Sequence, residues 1–277
     1  MRCILIAALA LAGQIKAEPD QFPLALQRSM ELDDLDREIQ RVHDAAVMKR
    51  AQFAASERLA KRGLVSRSDL ERETADLRFQ EAREAELVAS RAIKVYERDV
   101  KGKAAAPDDQ KAYALLLDWA RKQLAIYQVD SDFQAAQLKR TRALFGRNAA
   151  SRQELDDAEL AFNAAQAGLS FGLAREAQIL MELAARCNGK RSDPDEVYRL
   201  KSDYLKARIR YFEVASEGAK RRLELARERS RLGLMKPQDV SAFERAAADA
   251  AASLDSERKA LERHETEGRT EPRKRSA

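Results

Sequence analysis

The eight residues GLVSRSDL, from Gly63 to Leu70, have counterparts in NAASRQEL (Asn148 to Leu155) and GLMKPQDV (Gly233 to Val240). The three stretches begin 85 residues apart, twice in succession. Each opens with a residue that tolerates positive φ, as the position just past a helix C-terminus requires. Two apolar residues follow: Leu64 and Val65, Ala149 and Ala150, Leu234 and Met235. A helix start comes next. Ser66 and Asp69 have the spacing of a capping box, and Ser151 with Glu154 matches it fully. In the third stretch Lys236 replaces the serine, and Pro237 takes the first helical position, where a missing N–H costs nothing. Each stretch stops one helix and starts another, which predicts hairpin tips at 63–66, 148–151 and 233–237.

Two further breaks lie between the tips. KGKAAAPDDQ (Lys101 to Gln110) holds a glycine, a proline and paired acids suited to a helix N-terminus. CNGKRSDPDE (Cys187 to Glu196) holds Asn188-Gly189 and then Ser192-Asp193-Pro194 as a second start signal. The chain then divides into six helices, near 25–61, 67–101, 108–145, 152–187, 195–231 and 238–265. Apolar residues at alternating three- and four-residue spacing agree: Leu32, Leu35, Ile39, Val42, Ala46 and Phe53 in the first, with Lys49 interrupting. In the fourth they are Leu155, Ala158, Phe162, Ala165 and Leu169. These stripes are narrow and rich in alanine, so neighbouring helices can approach closely. Composition is dominated by Ala, Leu, Arg, Glu, Lys, Asp and Gln, as in long helices and coiled coils. The expected fold is all-α, with three long antiparallel hairpins built on an internal repeat, all three tips at one end.

The chain ends carry other signals. MRCILIAALALAGQIKA has an early arginine, a short apolar run and a small-residue stop at Ala17, the pattern of a signal peptide over residues 1–17. The run is too short to span a bilayer, which takes about 20 residues. An exported, periplasmic chain follows, with no transmembrane segment after cleavage. The hairpin repeat domain then covers 18–267, and 268–277 form a basic, disordered tail. The net charge of +5 is concentrated in the leader and that tail, so the helical body is neutral. A nucleic-acid binder would instead carry a basic stripe on its folded part. Cys187 alone remains after cleavage, which excludes an intramolecular disulfide.

No catalytic pattern is present. His43, His264 and Cys187 have no metal or nucleophile spacing, and there is no phosphate-binding glycine loop. Trp119, Tyr198, Tyr204 and Tyr211 lie at helical positions and read as packing residues, with His264 at a frayed helix end. The expectation is a non-enzymatic protein with no cofactor and no metal, acting through protein contacts.

Around the second tip, LKRTRALFGRNAASRQELDDAELAFNAAQAGL resembles the α-hairpin of periplasmic adaptor (membrane-fusion) proteins of tripartite efflux and secretion systems. Arg140, Leu144 and Ser151 match the Arg, Leu, Ser spacing of those hairpins. KRGLVSRSDLERETADL and SRLGLMKPQDVSAFERAAADAAASL resemble the helix–turn–helix tips of TolC-type outer-membrane factors. The likeness covers the coiled-coil part alone. The lipoyl and barrel segments of adaptors are missing, and so are the barrel strands of the channel family. The resemblance implies an accessory of such an assembly, contacting partner helical hairpins through Arg140, Leu144, Ser151, Leu64, Val65, Leu234 and Met235. The alternative is a periplasmic scaffold or spacer that self-associates through its helix faces.

Overall fold

A computed structural model describes residues 31–106, 108–187 and 194–270. Six helices fill them: α1 (Leu32–Ala60), α2 (Arg67–Lys101), α3 (Asp109–Phe145), α4 (Arg152–Cys187), α5 (Pro194–Arg231) and α6 (Pro237–Thr270). There is no strand among the described residues. The all-α, three-hairpin expectation holds. No helix among the described residues is long and apolar enough to cross a membrane. The leader, the Asn188-Gly189 turn and the tail from 271 onward lie outside the described residues.

Two expected boundaries move. α1 starts at Leu32 rather than near 25, because Glu31 has an extended backbone (φ −73°, ψ 163°) and its carbonyl accepts the first helical bond, from Leu35. α6 runs to Thr270, so residues 268–270 are helix rather than tail. At the base of the first two hairpins Asp108 caps α3, accepting from the Lys111 N–H at 3.1 Å. The Tyr96 hydroxyl donates to the Asp108 carbonyl and accepts from its N–H, which clips that turn to α2.

The hairpin repeat packs as two compact units, α1–α4 and α5–α6. In the first, each helix packs on its neighbour in sequence and α1 does not close against α4, leaving an open row. The cross-helix pairs show the antiparallel sense, since one number falls as the other rises. Arg50 meets Glu81 at 2.8 Å, Lys49 meets Asp76 at 3.3 Å and His43 meets Glu84 at 2.9 Å. Lys49 thus interrupts the apolar stripe but is paired across the seam. The core here is Leu35, Ile39, Val42 and Leu87. Glycine lets α3 and α4 approach closely: a Cβ on Gly172 would stand 2.9 Å from Leu124 Cδ1 and 3.0 Å from the Tyr127 ring. In the second unit Ala219, Ala247 and Ala250 form the seam, joined by Leu223.

Candidate functional site: the hairpin tips

All three tips use one backbone device. Past α1, the Gly63 N–H donates to the Ala60 carbonyl and the Leu64 N–H reaches back to Leu59 at 3.0 Å. Asn148 and Ala149 repeat this onto Phe145 and Leu144, and Gly233 and Leu234 repeat it onto Ser230 and Arg229. This is the Schellman arrangement, which satisfies the last helical carbonyls with backbone groups alone. It requires a left-handed residue, and φ is +74° at Gly63, +57° at Asn148 and +72° at Gly233. A fourth copy closes α2, but there Lys103 rather than the adjacent Gly102 takes the positive φ, at +59°.

The helix starts differ. At the second tip the capping box forms in full: the Ser151 hydroxyl accepts from the Glu154 N–H at 3.1 Å, and the Glu154 carboxylate accepts from the Ser151 N–H at 2.7 Å. Those backbone and hydroxyl bonds from Ser151 hold the Glu154 carboxyl below the usual carboxylate range. At the first tip Ser66 caps from the Asp69 N–H at 3.1 Å. At the third, only the Lys236 carbonyl is engaged, by the Asp239 N–H.

Because backbone makes the turn, the outer side chains are left over. Leu64 is 70% exposed, Leu234 75% and Leu144 39%, while Val65 and Met235 are half-buried and Ser151 is exposed. Arg140 is different. It is half-buried, and its guanidinium donates to the Ser68 hydroxyl and, at 2.8 Å, to Glu71 on α2. The resemblance gives it a contact with a partner hairpin. The structure joins it to the first hairpin, so tips one and two share an end as a single two-turn surface. Leu64 and Val65 stand on one turn of that surface, Leu144 and Ser151 on the other. Leu234 and Met235 belong to the separate α5–α6 unit.

Charge pairing differs between the tips in degree: Arg58 and Arg62 at the first and Arg147 at the second are exposed with no ion pair among the described residues, beside several cations that are paired. Lys61, Arg67 and Arg72 are paired with Glu57, Glu71 and Asp69 at the first. Arg142 and Arg152 are paired with Glu159 and Asp156 at the second. At the third, Arg229, Arg231 and Lys236 are exposed and have no acidic partner among the described residues.

Sequence reasoning missed a buried polar centre linking α2, α3 and α4. Trp119 is 2% exposed, and its indole N–H donates to Glu86 at 2.8 Å. Ser90 and Arg83 bond the same carboxylate. The Arg175 guanidinium lies 4.1 Å from the Trp119 ring centroid and donates to Gln123 at 2.8 Å. Trp119 as a packing residue is correct, but its charged neighbours lie 33 residues before it and more than 50 after, beyond any local pattern. In α5–α6 the counterpart is the half-buried Arg208 with the buried Glu257, whose carboxyl is pushed up by burial. His264 is buried rather than frayed: its Nε2 lies 3.1 Å from the Ser202 hydroxyl, and Tyr198 stacks on its ring at 4.4 Å. Glu86, Trp119, Arg175, Glu257 and His264 are all buried in the packing. Among the described residues no group of three or more His, Cys, Asp or Glu is placed to hold a metal. No family model, curated protein or solved structure matches this chain.

Proposed function

We propose that this is an exported, non-catalytic hairpin protein, an accessory of a tripartite efflux or secretion assembly that docks partner helical hairpins through its tips. The observation that carries the reading is the clamped pair of first and second tips. Their turns are held by backbone bonds and capping side chains, yet Leu64, Leu59 and Leu144 stand exposed on them. Side chains that the fold does not use are available to a partner. Burying a leucine fully contributes about 1.5–3 kcal/mol, so three of them on the joined pair of turns supply the apolar centre of a contact wider than a single turn offers.

Arg140 is a poor probe, because its removal also releases Ser68 and Glu71. Leu64→Ser and Leu144→Ala are cleaner. A photocrosslinker at the exposed position 147 should capture a helical-hairpin envelope protein, and each of the two substitutions should weaken the capture with helicity by circular dichroism unchanged. Capture that persists in both folded variants would remove the docking reading.

The open row of α1–α4 favours a second reading, a periplasmic scaffold that self-associates through its faces. Met48 on α1 is 73% exposed, and Val47, Val88, Leu173 and Leu180 are exposed with it. On this reading sedimentation shows a concentration-dependent dimer that Met48→Gln with Leu180→Gln abolishes, while the tip substitutions leave it intact.

A further inference from the structure

The third tip differs from the other two in what surrounds its apolar residues. Leu232 is 66% exposed and Leu234 more so, on either side of Gly233. A Cβ added to Gly233 would meet nothing within 4 Å, so this turn projects into open space. Arg229, Arg231 and Lys236 stand around the two leucines without acidic partners among the described residues, while Arg227, one turn back, is held by Glu244 at 2.9 Å. Glu228 and Asp239 are the acids on this tip, so the cations outnumber them by three to two.

We infer that the third tip, residues 229–236, is a peripheral membrane anchor that sets Leu232 and Leu234 into the interface of an anionic bilayer. Area decides between a lipid and a protein partner. A stable protein complex takes roughly 800 Å² from each partner, far more than two leucines and a half-buried methionine on one convex turn present. A bilayer needs no complementary groove. Exposed leucines enter the headgroup boundary, and flanking Arg and Lys side chains keep their charges at the phosphate level. Each cation near an anionic surface adds to the attraction, which makes binding salt-sensitive. The first tip sets a single leucine beside its turn glycine, with Arg62 standing before Gly63 where Leu232 stands before Gly233, and Lys61, Arg67 and Arg72 around it are paired. The anchor does not depend on the docking proposed for the first two tips.

Flotation of the full chain with phosphatidylcholine vesicles, with and without about one-third phosphatidylglycerol, tests this at low and high salt. The wild type should float with the anionic vesicles only and be released by about 0.5 M salt. Leu232→Ser with Leu234→Ser should reduce binding about tenfold at unchanged helicity. Arg229→Gln, Arg231→Gln and Lys236→Gln together should reduce it several-fold. Neutralising the tail through Arg273→Gln, Lys274→Gln and Arg275→Gln should leave most of the binding in place. Should the serine variant misfold, Leu234→Trp gives an independent reading, with blue-shifted emission quenched by brominated lipid. No flotation with anionic vesicles would overturn the anchor and leave this tip to an acidic protein partner. Binding indifferent to the leucines, binding lost with the tail charges alone, or an unquenched Trp at 234 would overturn it equally.

Discussion

The second and third hairpins close with the same Schellman turn and diverge in nearly everything attached to it. In α3–α4 the tip is completed by a capping box, Ala149 and Ala150 follow the turn, and Arg140, Arg142 and Arg152 around it are paired. One of them, Arg140, ties the hairpin to α2. In α5–α6 the helix restarts on Lys236 and Pro237, leucines flank the turn, and three cations are unengaged. The interiors differ in the same sense. Trp119, Glu86 and Arg175 join three helices in the first unit, whereas Arg208 and Glu257 join only two in the second. A turn made by backbone bonds constrains few side chains, so a repeat can keep its geometry while each copy acquires its own surface.

The largest effects should come from the two interiors. Trp119→Ala removes a buried aromatic and one of the three donors to the Glu86 carboxylate, so it should cost about 3–5 kcal/mol in urea unfolding. Glu257→Ala leaves the half-buried Arg208 without its acid and should cost about 3 kcal/mol, most of which Arg208→Met with Glu257→Leu should restore. Failure of that restoration would show that the α5–α6 pair does more than match charges, and would narrow the contrast between the units.

The tips themselves come next. Ser151→Ala should cost about 1 kcal/mol through loss of the cap, and Lys236→Ser should gain a similar amount by supplying one. Equal and opposite shifts in melting temperature would confirm that capping alone separates the two helix starts. No gain at Lys236 would mean that Pro237 already satisfies the third tip.

The smallest effect is pH-dependent. Burial pushes the Asp130 carboxyl on α3 above its ordinary value of 3.8, against a lowering hydrogen bond from Gln134. The folded state therefore holds this proton more tightly than the unfolded state. Stability falls as pH rises from 3.8 through the folded-state value, and the penalty is complete above it. Asp130→Asn should stabilise at neutral pH, and the gain should vanish as pH is lowered towards 3.8. A gain that persists in acid would assign it to something other than the charge.

Much of the fold was legible because its punctuation is local. The left-handed Gly63, Asn148 and Gly233, the Ser151–Glu154 box and Pro237 at a helix start depend on bonds spanning three to five residues. A sequence pattern of that length can be read directly. The start of α1 was misplaced because no capping side chain marks it. Lys103 in the left-handed position beside Gly102 breaks the usual preference, so composition pointed one residue away from the conformation.

By itself, then, the sequence determined where the helices turn, since a turn is settled by its own backbone bonds. Tertiary structure alone decided what the helices present to one another. A narrow, alanine-rich stripe specifies a seam but leaves helix rotation and register open, and these place Arg140 on Glu71 and Trp119 between Glu86 and Arg175. They also bury His264 and split the repeat into four helices and two. Such contacts join residues 33 to 72 positions apart, where no local hydrogen bond reaches and only packing geometry selects the partner.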